Sequence, residues 1–294
     1  MSFETLMGAA QRLGASMEAL AALGAELRLR RDGAAAHATT RELLRKIVGG
    51  IDPHLFDNIS PEQEAVALAS IHVAFQQAVD LLEDPARAPG WLHQDPAILQ
   101  TIGRMSGRIV HQIDVFAARR PEFKAAVERG GAFLDIGTGV GWLAIEAARV
   151  WSNLRVVGID IWEPSLALAR ANIAASNMQD RVTLRTQSVT DLDDTNAFTM
   201  VWYPAPFLPL KIAPRALENA KRALVPGGWL VFGIFAPQPD PLGESLTALK
   251  IVRCGGHPWT TAEVEERLRG LGFEQIETFA PGSISVLVLA RKPG

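Results

Sequence analysis

Ten consecutive residues, Phe133-Leu134-Asp135-Ile136-Gly137-Thr138-Gly139-Val140-Gly141-Trp142, join a short apolar run to an acid, three alternating glycines and the helical pattern Leu143 to Val150. A turn of this kind can hold a ligand through its backbone. Without Cβ atoms, Gly137 and Gly139 let the chain bend sharply and approach a group seated at the positively polarised N-terminus of the following helix. Glycine spacing alone is equally open to a tight turn with no ligand. Val156-Val157-Gly158-Ile159-Asp160 argues against that, because it is an apolar strand ending in a carboxylate 23 positions beyond Gly137, the spacing of one βαβ unit. A carboxylate at such a strand tip can accept hydrogen bonds from both hydroxyls of a ribose; a solvated loop aspartate is the plainer alternative. Together the two elements point to a bound nucleoside.

Asp135-Ile136-Gly137-Thr138-Gly139-Val140-Gly141 and Gly158-Ile159-Asp160 closely resemble the first two motifs of class I S-adenosylmethionine-dependent methyltransferases of the small-molecule type. Leu224-Val225-Pro226-Gly227-Gly228-Trp229-Leu230 is similar to the family's turn into its fifth strand, and Gly270-Leu271-Gly272-Phe273 to the link into its sixth. The resemblance covers about residues 130 to 292. It implies S-adenosyl-L-methionine as cofactor, with Asp135, Gly137, Thr138 and Gly139 around its methionine part, Asp160 on its ribose and Ile161 beside its adenine. The position that often carries an acid after the third strand is Ser188 here, so Ser188 and the backbone of Val189 are the expected adenine contacts. Thr199 departs from the pattern as well, standing where the fourth strand commonly carries aspartate. A nicotinamide-dependent oxidoreductase would use a similar framework, but its glycines read G-x-G-x-x-G rather than G-x-G-x-G, and its first strand usually ends apolar. A methyltransferase-like protein that binds the cofactor without transfer, acting as a regulator or partner subunit, remains a separate possibility.

A sulfonium donor is already an activated electrophile, so alignment supplies much of the acceleration, and a base matters only where the acceptor loses a proton. Three residues are candidates for orienting or deprotonating an acceptor, whose reacting atom (oxygen, nitrogen or carbon) the sequence leaves open. Tyr203, the sole tyrosine, stands in Trp202-Tyr203-Pro204-Ala205-Pro206-Phe207, where this fold brings acceptor and methyl group together; simple packing explains it equally well. His257 lies in Arg253-Cys254-Gly255-Gly256-His257-Pro258-Trp259, just before a helix start formed by Thr260 and Glu263. An imidazole's ordinary pKa suits base work near neutrality, and Trp259 could wall a pocket; the competing reading is a loop histidine with no chemistry. His111 shares a helix face with Arg104 and Arg108, spaced by four and three. Were that helix to close over the cofactor, Arg108 would pair with its carboxylate and His111 would meet the acceptor, whereas a solvated face is the bland alternative. Arg28, Arg30 and Arg31 read as solvated. Cys254 reads as a small buried apolar residue rather than a nucleophile.

The elements that must position these residues fall into two parts. Up to about residue 128 the apolar residues recur at helical spacing: Ser60-Pro61-Glu62-Gln63 forms a capping box, and Asp95-Pro96 opens a helix with Ile98, Ile102, Met105, Ile109, Ile113 and Phe116 on one face. From residue 129, short β-rich runs alternate with helices, giving strands near 133–136, 155–159, 182–185, 198–203, 229–235, 273–279 and 284–290. The expectation is a doubly wound, seven-stranded, mostly parallel α/β sheet of Rossmann type over 129–294, its last two strands forming a hairpin through Ala280-Pro281-Gly282-Ser283. A helical cap over 1–128 would precede it, covering the substrate or pairing two copies as a homodimer. With 48% hydrophobic residues, 21% charged and a net charge of -3, the chain packs a full core and has no overall attraction for nucleic acid or an anionic membrane. A small-molecule substrate fits better, since the Asn-Pro-Pro-Tyr pattern of many nucleic-acid methyltransferases is missing. One cysteine allows neither an internal disulfide nor a cysteine-based zinc site, and no metal ligand set is recognised. Without a visible secretory signal or an apolar run long enough to span a bilayer, the expected setting is cytoplasmic.

Overall fold

The computed structural model describes residues 2–294 except Ala34, Leu92, His93, Pro281, Ser283 and Ile284. Its contacts divide the chain into two units, Met1–Ala86 and Arg87–Gly294. The first contains α1 (Phe3–Asp32), α2 (Ala38–Ile51) and α3 (Pro61–Glu83). The capping box expected at Ser60 and Gln63 is present. Leu27, Leu68 and Ile71 form a small buried core with Leu20, Leu23, Phe56 and Phe75 packed around it. Gly24 lets α1 approach α3, since a Cβ there would already stand 3.2 Å from Ile71. Arg30 is not simply solvated: its guanidinium bonds Glu64 at 2.8 Å and lies 4.5 Å from the centre of the Phe56 ring. By length and composition α3 could also cross a membrane, its best window having a mean hydropathy of 1.4. Glu62, Glu64, Asp80 and Glu83 bracket the apolar stretch.

The second unit begins with α4 (Pro96–Ala117) and α5 (Pro121–Glu128) and continues as β1 (Gly131–Ile136), α6 (Trp142–Val150), β2 (Leu154–Asp160), α7 (Glu163–Ala175), β3 (Val182–Thr186) and β4 (Phe198–Pro204). Then follow α8 (Ala213–Ala223), β5 (Leu224–Phe235), α9 (Pro241–Arg253), α10 (Thr261–Gly270), β6 (Glu274–Phe279) and β7 (Ser285–Arg291). The strands make one sheet in the order β3-β2-β1-β4-β5-β7-β6. All pairs are parallel except those of β7, which runs antiparallel to both β5 and β6. The expected antiparallel pairing of the last two strands is thus present, although Pro281, Ser283 and Ile284 of its connection lie outside the described residues. Every residue of β4 is buried, as a central parallel strand covered on both faces should be.

Expectation and structure differ over the boundary, which falls at Ala86/Arg87 rather than between residues 128 and 129. Helices α4 and α5 are a covering layer of the sheet: Val110, Ile113, Phe116 and Phe123 are at most 1% exposed and join the cluster holding Phe133, Trp229 and Leu287. A helical period identifies an apolar face without saying which surface it meets. The opposite face of the sheet is covered by α8 and α10, whose Leu217, Val264 and Leu268 pack with Leu134, Val201 and Phe232. Sheet order reverses between β1 and its neighbours β2 and β4, so a crevice opens beyond the carboxyl ends of these strands, the usual ligand position in an open α/β sheet.

Candidate active site

The residues at that crevice follow from local backbone demands. Gly137, Gly139 and Gly141 have φ of 65°, 57° and 82°, left-handed values that side-chain-bearing residues rarely adopt. Thr138 N–H donates to the Ile159 carbonyl at 3.0 Å, and the Thr138 hydroxyl donates to Asp135 Oδ2 at 2.7 Å. Gly158 makes room for this arrangement, because a Cβ there would stand 2.7 Å from Thr138 Oγ1. Asp135 is 1% exposed. Burial, opposed by the Thr138 hydrogen bond and reinforced by the nearby Asp160 charge, pushes its pKa up to about 7.

Asp160 ends β2 with its carboxylate spanning two backbone donors: Oδ2 accepts the Gly139 N–H and Oδ1 the Trp162 N–H, each at 2.9 Å. It therefore pins the glycine turn to the start of α7, and each oxygen retains acceptor capacity for a ribose hydroxyl. Burial raises its pKa against the pull of those backbone donors. Beside it, Ile161 is 75% exposed, an uncovered apolar side chain suited to an adenine face. The Gln187 N–H donates to the Asp160 carbonyl at 2.9 Å, bringing Ser188 and Val189 to the same edge. The Ser188 hydroxyl caps the short 3-10 turn Val189–Asp191 by accepting from Thr190 N at 3.2 Å, and the Val189 carbonyl accepts Asn219 Nδ2 at 2.9 Å. Both residues are thus engaged in local structure near the tip of β2.

The candidates for acceptor chemistry are not brought together. Tyr203 is fully buried, stacked on Phe232 with ring centres 4.8 Å apart, and burial pushes its hydroxyl pKa far up. This corrects the expectation of an active-site tyrosine: its side chain lies in the core face of β4. His111 bonds Glu146 of α6 at 2.9 Å on an exposed flank, so it is tied to the outer helix pair instead of facing an acceptor. Arg108 is exposed further along α4. On the same helix the Arg104 guanidinium lies 4.9 Å from the ring centre of Trp142, the first residue after the turn. His257 does lie at the carboxyl edge. Its loop packs on the segment after β4, where a Cβ at Gly256 would stand 1.9 Å from the Pro206 carbonyl oxygen, and its ring meets Trp259 edge-on at 4.7 Å. Cys254 is half-buried and burial pushes its thiol pKa up, in keeping with an inert thiol.

Sequence reasoning missed the aromatic residues on this edge. Trp91 packs edge-on against Phe207 at 5.4 Å, and Phe207 against Phe235 at 6.3 Å. Phe207 closes the 3-10 turn after β4 and Phe235 ends β5. Pro204 links this set to the glycine turn, its Cγ being 3.5 Å from where a Cβ of Gly137 would stand. From sequence, such residues look like ordinary strand-end packing.

An acid-tipped first strand, a left-handed glycine turn, a second acid bridging that turn and an antiparallel seventh strand define the arrangement of a class I methyltransferase. Residues 133–228 match the family described as a methyltransferase domain. A ribosomal protein L11 methyltransferase of Sorangium cellulosum is 31% identical over 168 residues, 55% of this chain and 51% of that protein. The chain thus spans about half the length of this curated relative. Among solved structures, an O-methyltransferase family protein of Burkholderia thailandensis superposes with a TM-score of 0.68 at 14% identity, covering 100% of this chain and 99% of that one. Human N-acetylserotonin methyltransferase, in complex with its methyl donor, gives 0.65 at 14% identity over 100% of this chain and 99% of the other. At these identities the structural likenesses show a shared fold.

The donor set fits a sulfonium nucleoside: a backbone turn, a carboxylate with acceptor capacity for a ribose, an uncovered apolar side chain beside it and a buried acid near the turn. Asp135→Asn tests the character of that buried acid. Its folded pKa, about 7, lies above its ordinary value of 3.8, so its contribution to stability is complete below the unfolded pKa and is lost as pH rises through 7. The expected decline is about 1.4 kcal/mol for each pH unit across that window, ~4 kcal/mol at most. Chemical denaturation from pH 4 to 8 should show the decline in the parent protein and its loss in Asp135→Asn, which is the more stable of the two at pH 8.

Proposed function

We propose that this protein transfers the methyl group of S-adenosyl-L-methionine to a hydroxyl on a small aromatic metabolite. The observation that carries the reading is the Trp91, Phe207 and Phe235 set on the carboxyl edge beside the glycine turn, since aromatic faces and edges favour a planar ring. Full-length fold similarity to an O-methyltransferase family protein supports it. When bound, the cofactor supplies the methyl group as a sulfonium electrophile. Asp160 and the glycine turn hold its nucleoside, and Asp135 and Thr138 face its methionine end. The aromatic residues orient the acceptor ring and exclude water. The His257 imidazole would take the proton of the acceptor hydroxyl. A net charge of -3 and the aromatic side chains on the carboxyl edge favour a metabolite over nucleic acid. The half-buried single cysteine suits a reducing cytoplasm, and exposed Phe3, Leu6 and Leu13 of α1 support pairing of two copies.

Transfer of labelled methyl from the cofactor to a panel of phenols, catechols, aliphatic alcohols, amines and an L11-type protein tests the reading. Turnover confined to hydroxylated aromatic compounds is expected. Turnover on the protein or the amines would overturn the acceptor class, and cofactor binding with no turnover on the whole panel would favour a regulatory role.

A further inference from the structure

Helix α4 reaches the glycine turn from outside the crevice. A Cβ at Gly103 would stand 2.3 Å from Val140 Cγ2 and 3.1 Å from Trp142 Cδ1, and one at Gly107 would stand 3.5 Å from the Trp142 carbonyl oxygen. Two glycines four positions apart thus let the helix backbone lie directly on the exit of the turn, Val140-Gly141-Trp142. A closed set of hydrogen bonds joins α4, α6 and α7 at this point. Gln100 Oε1 accepts from Trp142 Nε1 at 2.6 Å and from Asn172 Nδ2 at 3.1 Å. Gln100 Nε2 donates to Asn172 Oδ1 at 3.0 Å, and Asn172 Nδ2 also donates to the Val140 carbonyl at 2.8 Å. Every oxygen and nitrogen of both side-chain amides is engaged. The last of these bonds fixes the peptide plane between Val140 and Gly141, and so the course of the left-handed turn that precedes it.

We propose that Gln100, Gly103 and Asn172 are positioning residues that hold the glycine turn in its donor-binding form, with α4 acting as an external splint. The proposal rests on reading that turn as the cofactor site. A polar pair and a glycine at these positions are otherwise hard to account for: apolar residues would pack a helix layer equally well, and glycine weakens a helix interior. The splint adds no contact to the cofactor. Its effect is to remove alternative turn conformations, so its loss lowers the fraction of protein competent to bind.

Calorimetric titration with S-adenosylhomocysteine reads this directly. Gly103→Ala is expected to weaken binding about tenfold, because its Cβ displaces Val140 or the helix. Combining it with Val140→Ala, which removes the methyl it would strike, should restore affinity to within about threefold of the Val140→Ala control, a coupling that independent structural damage would not give. At saturating donor, kcat and the acceptor KM should stay within about twofold of the parent, since the splint acts on donor binding alone. Should Gly103→Ala fail to fold, Asn172→Asp serves instead: it keeps the shape and the bond from Gln100 but turns an acceptor towards the Val140 carbonyl, and about tenfold weaker binding is again expected. Parent-like affinity in Gly103→Ala or Asn172→Asp, or a double variant weaker than Gly103→Ala alone, would overturn the splint while leaving the proposed function intact. Failure of the unaltered protein to bind the nucleoside would overturn both.

Discussion

Asp160→Ala loses cofactor binding by a factor of a hundred or more, the largest binding effect expected anywhere in the chain. Two ribose hydroxyls each donate to a carboxylate there, and hydrogen bonds to a charged group are worth ~1.5–3 kcal/mol apiece, so their joint removal corresponds to roughly 10²-fold to 10⁴-fold in affinity. The same substitution frees the N–H groups of Gly139 and Trp162, both of which the carboxylate accepts at 2.9 Å. A lower melting temperature should therefore accompany the lost affinity. Asp160→Asn separates the two effects in part, because its one carboxamide oxygen can still accept the Gly139 N–H, whereas the NH₂ that replaces the other oxygen can accept neither the Trp162 N–H nor a ribose hydroxyl. Titration with S-adenosylhomocysteine, read beside thermal unfolding, checks both variants. An Asp160→Ala protein that binds like the parent would remove the ribose contact from the account.

His257→Ala lowers kcat by roughly 10²–10³, within the range for loss of a general base, while donor affinity stays at the parent value. Its loop is seated by the close passage of Gly256 over the Pro206 carbonyl, on the segment that follows β4, and its ring meets Trp259 edge-on. Steady-state kinetics of the variant beside the parent check this. Activity that survives the substitution would assign proton removal elsewhere, or to an acceptor that reaches the site already ionised. Tyr203 is a poor replacement for the role, since burial holds its hydroxyl protonated.

The glycine turn and the acid-tipped second strand were legible in the sequence because their signals are local. The glycine turn is specified by residues within seven positions of one another, and Asp160 by its place at a strand tip, so backbone geometry carries both into the structure with little help from tertiary context. The acceptor half was not legible in this way. Tyr203 sits at the end of a strand buried on both faces, and the alternation that would say which face it occupies is missing from so apolar a run. Trp91, Phe207 and Phe235 converge from three separate segments. Gln100 and Asn172, 72 positions apart, meet only once the sheet order has carried α4 and α7 to the same side. Assigning α4 and α5 to a helical cap failed for a related reason: their apolar stripes are as regular as those of any bundle, and only the docking of Phe116 and Phe123 against Trp229, with ring centres 6.5 Å and 5.3 Å apart, shows that the partner is a sheet. His111 followed from correct helical spacing, yet its nearest opposite charge, Glu146, lies on the neighbouring helix.

A crystal structure with S-adenosylhomocysteine bound tests the central claim most directly. The ribose should lie within hydrogen-bonding distance of Asp160, the adenine against Ile161 and the amino acid end over Gly137 and Gly139, with the sulfur directed towards Phe207 and Phe235. A nucleoside seated elsewhere on the protein, or a crevice that admits a nicotinamide dinucleotide in its place, would contradict it.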